Sequence, residues 1–295
     1  MYLRSNARRD SKAKLDDVKK EQVVKRLYKY EDMPSYAQNR YILNGYRMCK
    51  TFKESWKSLT YVHNETGNIY THIFASLVFL GILVDIWLWD IAIGDKVIFS
   101  IFCLCAIKCF VASTLFHLHC NQCEKTHSFF VCLDYSGISF MVMGSSVVVT
   151  YYLYYCHGVS QLISLGFLIC LSFVGIVGSF VDYFNQHPLI RVYVYSATAI
   201  SSAIPFLLHL YHNSLTLPFY SGMGLLGFTL MTLFYTFGAI IYALRVPERF
   251  APGLFDLLLH SHQIWHMFAF FAALSTYCLA LDVYEWHKNT NECYL

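Results

Sequence analysis

The last quarter of the chain carries the run His260-Ser261-His262-Gln263-Ile264-Trp265-His266. Residues four apart on a helix share a face, so His262 and His266 are spaced to grip one metal ion, as the two histidines of H-E-x-x-H do. The glutamate of that motif is absent, because Gln263 follows His262, and a general base has to come from elsewhere. Taken alone, the pair also fits two histidines hydrogen-bonded inside a helical bundle. Further upstream, Ser113-Thr114-Leu115-Phe116-His117 puts a third histidine on the same helix face as Ser113. Three histidines around an open position form the catalytic pattern of zinc sites. Asp134, in Cys132-Leu133-Asp134-Tyr135-Ser136, adds a carboxylate within an apolar run, where such a group is costly and marks a functional site.

The elements that must position these residues are membrane-crossing helices. The chain is 56% hydrophobic and 14% charged, against about 25% charged in an ordinary soluble domain. A hydrocarbon core of about 30 Å takes about 20 apolar helical residues. Seven runs meet that length, over 71–89, 97–119, 128–155, 160–181, 192–210, 220–244 and 260–282. The expected fold is therefore an all-α membrane protein with seven transmembrane helices. Breaks such as Gly94-Asp95-Lys96 and Asn185-Gln186-His187-Pro188 are short, so sequential helices should be antiparallel neighbours.

Residues 1–60 hold 15 of the 22 Lys and Arg. Placing this end in the cytosol also puts Lys125, Arg191, Arg245 and Arg249 inside and leaves Lys96 and Lys288 outside, as positive-inside topology requires. The C-terminus then lies in an extracellular or lumenal space. Three regions are expected: a basic cytosolic segment over 1–60, a zinc-binding bundle over 61–288 and a short outer tail over 289–295. With this topology His117 falls near the inner end of the second span, Asp134 a turn or two into the third, and His262 and His266 near the inner start of the seventh. Four rare polar residues thus share one depth.

Other features carry less. No cleavable signal peptide is expected, because no apolar run occurs before about residue 71. Most of the 11 cysteines sit in apolar runs and behave as small hydrophobes. Cys156 and Cys293 are the two expected outside the cytosol, where they either pair or remain as two thiols. Lys108 reads as a buried functional cation or as one paired with a neighbour. Cys120-Asn121-Gln122-Cys123 lacks the second half of a zinc ribbon. In the basic segment, Leu15 to Tyr30 reads as a basic helix, and Trp56, Leu59, Tyr61 and Val62 as residues for the membrane interface. The segment suits anionic lipid or a cytosolic or membrane protein partner. No nucleic-acid role is expected.

Several motifs in order resemble the progestin and adipoQ receptor family, which includes adiponectin receptors and haemolysin-III-like proteins. They are Asn64-Glu65-Thr66-Gly67-Asn68-Ile69-Tyr70-Thr71-His72, then Ser113 to His117, Leu133-Asp134-Tyr135-Ser136-Gly137, and Arg245-Val246-Pro247-Glu248-Arg249 leading into Ser261 to His266. The resemblance spans about residues 28 to 270. It implies an intracellular N-terminus, seven helices and a Zn2+ held by His117, His262 and His266. It also implies that Asp134 holds or deprotonates a water at the zinc and that Ser113 supplies a supporting hydroxyl. A wider group of membrane hydrolases, alkaline ceramidases among them, shares the pattern.

The leading expectation is a zinc-dependent hydrolase of a lipid amide or sphingolipid-like ligand such as ceramide. It would act in lipid signalling or homeostasis, in the plasma membrane or an internal membrane of the Golgi or ER. The alternative is a signalling receptor or scaffold with a purely structural zinc. An ordinary G-protein-coupled receptor is disfavoured because its N-terminus lies outside. The topology has a direct check. Asn64-Glu65-Thr66 is a formal glycosylation sequon, and the charge rule puts it in the cytosol. Asn64 is therefore expected to stay unmodified in eukaryotic expression. The check is peptide mass mapping with and without glycosidase, and a glycan on Asn64 would invert the topology.

Overall fold

Apolar segments of this length satisfy their backbone in lipid by closing hydrogen bonds within themselves, which selects the helix. The computed structural model describes residues 27–212 and 223–290. Its helices there are α1 (Phe52–Ser58), α2 (Thr66–Leu88), α3 (Ile93–His119), α4 (Glu124–Leu153), α5 (Gly158–Gly178), α6 (Asp182–Gln186), α7 (Pro188–His212), α8 (Met223–Leu244) and α9 (Ser261–Thr290). Among the described residues the only β pairing is an isolated bridge between Tyr28 and Tyr46.

Six helices, α2 to α5, α8 and α9, are long and apolar enough to cross a membrane. The seventh long helix, α7, has 25 residues, contains Pro205 and occupies the place of the fifth expected run. The chain is an integral, multi-pass membrane protein. The first span starts at Thr66 rather than at about 71, because its opening turns carry polar residues that face inward. Asn68 and His72 there are buried. The last helix has 30 residues, about 45 Å at 1.5 Å per residue, and so extends past a 30 Å core.

The packing that matters for function joins α3 to α4. A Cβ on Gly144 would stand 2.6 Å from Cβ of Cys105, so only glycine lets these two backbones come this close, as small residues do in membrane bundles. Phe79, Phe99, Phe102 and Phe110 are fully buried around that seam. Helix α9 packs on α8, α4 and α2, which brings its N-terminus to the end of the bundle where α2 and α4 begin and α3 finishes.

The described part of the N-terminal segment is knitted onto that end. Tyr28 N donates to Tyr46 O at 2.7 Å, and Met33, Ile42 and Tyr46 form a small core. Asp256, in the loop between α8 and α9, accepts from the backbone N–H groups of Leu43 and Asn44, each at 2.8 Å. Arg47 is fully buried and donates to the Ser58 hydroxyl and to the His117 carbonyl. The expected basic helix over 15–30 lies mostly outside the described residues. Trp56 and Val62 are exposed, as interface residues would be.

At the opposite end, Lys288 of α9 pairs with buried Asp95 of α3 at 3.1 Å. Cys156 is disulfide-bonded, whereas nine other cysteines are free. Cys293, the other cysteine expected outside the cytosol, lies outside the described residues.

The join between the N-terminal segment and α2 has a pH signature. His63 Nδ1 accepts the backbone N–H of Glu65 at 3.1 Å, which requires a neutral ring. Burial, then the Arg47 charge, push the His63 pKa down from 6.5 to about 3. The folded state therefore stays neutral while the unfolded state takes up a proton below about 6.5. The contribution is fully present above that value and is lost as pH falls toward 3. Between pH 6.5 and 5 the loss is on the order of 2 kcal/mol. His63→Asn keeps an acceptor but no titration, so its thermal midpoint in detergent should fall less than the parent's between pH 7 and 5. Parallel falls in both proteins would contradict this.

Candidate metal centre

Each candidate ligand sits where its helix reaches the same end of the bundle. His117 is two residues from the end of α3, and His262 and His266 occupy the first two turns of α9. The start of α9 is fixed by its cap. Buried Glu248 accepts from Ser261 N at 2.8 Å and from the Ser261 hydroxyl, placing an acid where the helix exposes unpaired N–H groups. Gly67 fixes the approach of α2 to α9, since a Cβ there would overlap the Gln263 carboxamide.

The three histidines converge. One nitrogen from each of His117, His262 and His266 lies within 4.8 Å of the others, and the Nε2 atoms of His117 and His262 are 3.1 Å apart. Two nitrogens about 2.0–2.1 Å from one tetrahedral ion stand about 3.4 Å apart, so the spacing fits joint ligation. The outer nitrogens agree. His117 Nδ1 meets Glu65 Oε2 at 2.8 Å, and His266 Nδ1 meets the Asn68 carbonyl at 3.1 Å. Both partners are acceptors, so each Nδ1 carries the proton and each Nε2 is left as a bare lone pair. The bare Nε2 of His117 faces His262 Nε2, which either donates a proton to it or shares a cation with it. The donor set suits a borderline ion such as zinc.

The Glu65 carboxylate lies just before α2. Burial on its own would raise its pKa, but the hydrogen bonds from His117 and from the Asn68 amide hold it well below the usual carboxylate range. It is an anion beside the three imidazoles.

Of the residues singled out in the sequence, His117, His262 and His266 come together. Asp134 stays outside that trio, on α4, as a neighbour of the Ser113 hydroxyl and of His117. Ser113 is buried one turn before His117 on α3. Lys108 is taken up structurally. Its ammonium donates to the Leu133 carbonyl at 3.2 Å and to the Ser136 hydroxyl, and lies 4.4 Å from the Phe140 ring centroid.

The sequence reading missed the surrounding shell. Glu65, Asn68 and His72 lie at i, i+3 and i+7, one face at the start of the first span, and that polar stripe was the available signal. His72 stacks on His266 with centroids 3.7 Å apart and planes 7° apart, and neither of its ring nitrogens has a hydrogen-bond partner. Tyr242 of α8 closes the other side, 5.2 Å from the His262 ring.

The metal reading predicts about one zinc per purified chain. His262→Ala and His266→Ala should each lower that content sharply by elemental analysis. Unchanged content in both variants would remove the assignment.

Comparison with known proteins places these residues in a family context. The family model for haemolysin-III-related proteins matches residues 60–277, which includes every residue of the site. An adiponectin receptor protein of Drosophila melanogaster is 36% identical over 275 residues, covering 90% of this chain and 61% of its own length. The ADIPOR-like receptor IZH2 of Saccharomyces cerevisiae is 32% identical over 290 residues, covering 90% and 87%. Heptahelical transmembrane protein 3 of Arabidopsis thaliana is 29% identical over 329 residues, covering 95% and 93%. The chain thus spans about three fifths of the fruit-fly relative.

Proposed function

We propose that this chain, which belongs to the haemolysin-III-related family, is a seven-span zinc protein that hydrolyses a lipid amide such as ceramide. Its N-terminus is cytosolic and its C-terminus extracellular or lumenal. The observation that carries the reading is the convergence of one ring nitrogen from each of His117, His262 and His266 within 4.8 Å, with the Nε2 atoms of His117 and His262 3.1 Å apart. A zinc ion bound there supplies a Lewis acid and brings the pKa of a bound water toward neutrality.

The chain's own residues supply the rest. His117, His262 and His266 bind the ion from two helices. Asp134 takes a proton from the attacking water and returns it to the leaving amine, as the C–N bond breaks and the C–O bond forms. Ser113, its neighbour, orients that carboxyl group. The apolar helices receive the acyl chain from the bilayer, in the plasma membrane or in a Golgi or ER membrane. Within residues 1–60, the exposed Lys29, Lys50, Lys53 and Lys57 would meet anionic lipid or a protein partner.

The second reading is a signalling receptor whose zinc is structural. It is favoured by the receptor names that the fruit-fly and yeast relatives carry. Asp134→Asn separates the two. If zinc is catalytic, the variant keeps its fold and most of its zinc, and release of sphingoid base from ceramide in nanodiscs falls by about 10²-fold or more. Activity equal to the parent's with zinc retained would refute the catalytic role of Asp134. A parent inactive on every lipid amide would favour the receptor.

A further inference from the structure

We propose that the first turn of α2 is an outer bracket for the metal, with Glu65 as the positioning residue that sets zinc affinity. The inference rests on the zinc reading above and adds a function for residues that the three-histidine pattern leaves out.

Four groups form a continuous path from one ligand to another. His117 Nδ1 donates to Glu65 Oε2 at 2.8 Å. Asn68 Nδ2 donates to the same oxygen at 2.6 Å. The Asn68 carbonyl then accepts from His266 Nδ1 at 3.1 Å. A single helical turn of α2 thereby ties a ligand on α3 to a ligand on α9, whose covalent separation is 149 residues by their numbers, 266 less 117.

That turn is itself pinned. The Asn64 carbonyl accepts from His260 Nε2 at 3.2 Å and from Gln263 Nε2 at 3.3 Å, so its position is set from the start of α9. Arg47 donates to the His117 carbonyl, which fixes the backbone of the same ligand from the N-terminal segment.

Glu65 does more here than fill space. A carboxylate on the outer nitrogen of a metal-bound imidazole fixes the tautomer, orients the ring and raises its basicity. Its Oε2 already accepts two donors and is separated from the metal position by the imidazole, so it acts through His117 and not as a ligand. The charge balance supports the assignment. Three neutral imidazoles around a divalent cation leave two positive charges in an apolar bundle, and Glu65 lowers that net charge to one. A largely enclosed anion at this point is costly without such a partner.

The test is zinc affinity of the full chain in detergent, measured by competition with a chromogenic chelator. The visible spectrum of the cobalt-substituted protein is read alongside. Glu65→Gln keeps the size and one acceptor oxygen but removes the charge; Glu65→Ala removes both. Glu65→Ala should weaken zinc binding by about 10- to 100-fold, and Glu65→Gln by less, with altered cobalt bands in both. The metal-free thermal midpoint of Glu65→Gln should match the parent's. Should Glu65→Ala fail to fold, Glu65→Gln decides. Zinc affinity of Glu65→Gln within twofold of a zinc-binding parent overturns the bracket alone. A metal-free midpoint lowered in step with affinity also overturns it, since Glu65 would then be merely structural. A parent that binds no zinc overturns both the bracket and the metal reading beneath it.

Discussion

Three imidazole rings packed against one another in an apolar bundle impose a strict condition. Every ring nitrogen must find a proton, an acceptor or a cation, because an unpaired polar group in such a medium costs several kcal/mol. Here the outer nitrogens of His117 and His266 are met by Glu65 and by the Asn68 carbonyl, and the inner ones converge. Much of the surrounding architecture can be derived from that condition. The seam at Gly144 seats α3 tightly on α4. Gly67 admits α2 to the start of α9. Glu248 fixes where α9 begins, and so where two of the three rings point.

The segment before the first span belongs to the same device. Arg47, fully buried, reaches the His117 carbonyl at the end of α3, where a helix presents unpaired carbonyls and a partial negative charge. Asp256 answers from the loop before α9 by accepting two backbone N–H groups of the N-terminal segment. A buried cation and an anchored carboxylate therefore clamp that segment to both sides of the histidine cluster. Displacing it would strip His117 of a backbone anchor and leave the carbonyl end of α3 without its cation.

The spans and the three histidines were legible in the sequence for separable reasons. Run length against bilayer thickness located the long helices, and the i, i+4 rule paired His262 with His266. Shared depth added His117, and the structure brings these three together while setting Asp134 beside Ser113 on the neighbouring seam. What was not legible depends on contacts between residues far apart in the chain. Nothing local to Glu65 says that its carboxylate meets a ring 52 positions later. Nor does anything near Ser261 show that its cap comes from Glu248, across a loop with residues of positive φ at Arg245 and Leu259. The start of the first span was misplaced because hydropathy registers Asn68 and His72 as polar. Asn68 is met by Glu65 and His266 and the His72 ring stacks on His266, contacts to which hydropathy has no access.

Asp134 remains the group whose environment bears most on the choice between enzyme and receptor. Lys108 of α3 spends its ammonium on the Leu133 carbonyl, the Ser136 hydroxyl and the face of Phe140. Among the described residues Lys108 and Asp134 make no ion pair within 4.0 Å, but each acts on the other's charge. A purely structural carboxylate inside a membrane is expected to be neutralised by a direct partner. Asp134 stands beside a buried hydroxyl and His117, with the Lys108 charge acting on it as well. A structural zinc held by three histidines would have no use for a further carboxylate at its edge. A hydrolytic site does, because proton transfer from water needs a base that is near the metal without being consumed by it. That asymmetry weighs toward catalysis.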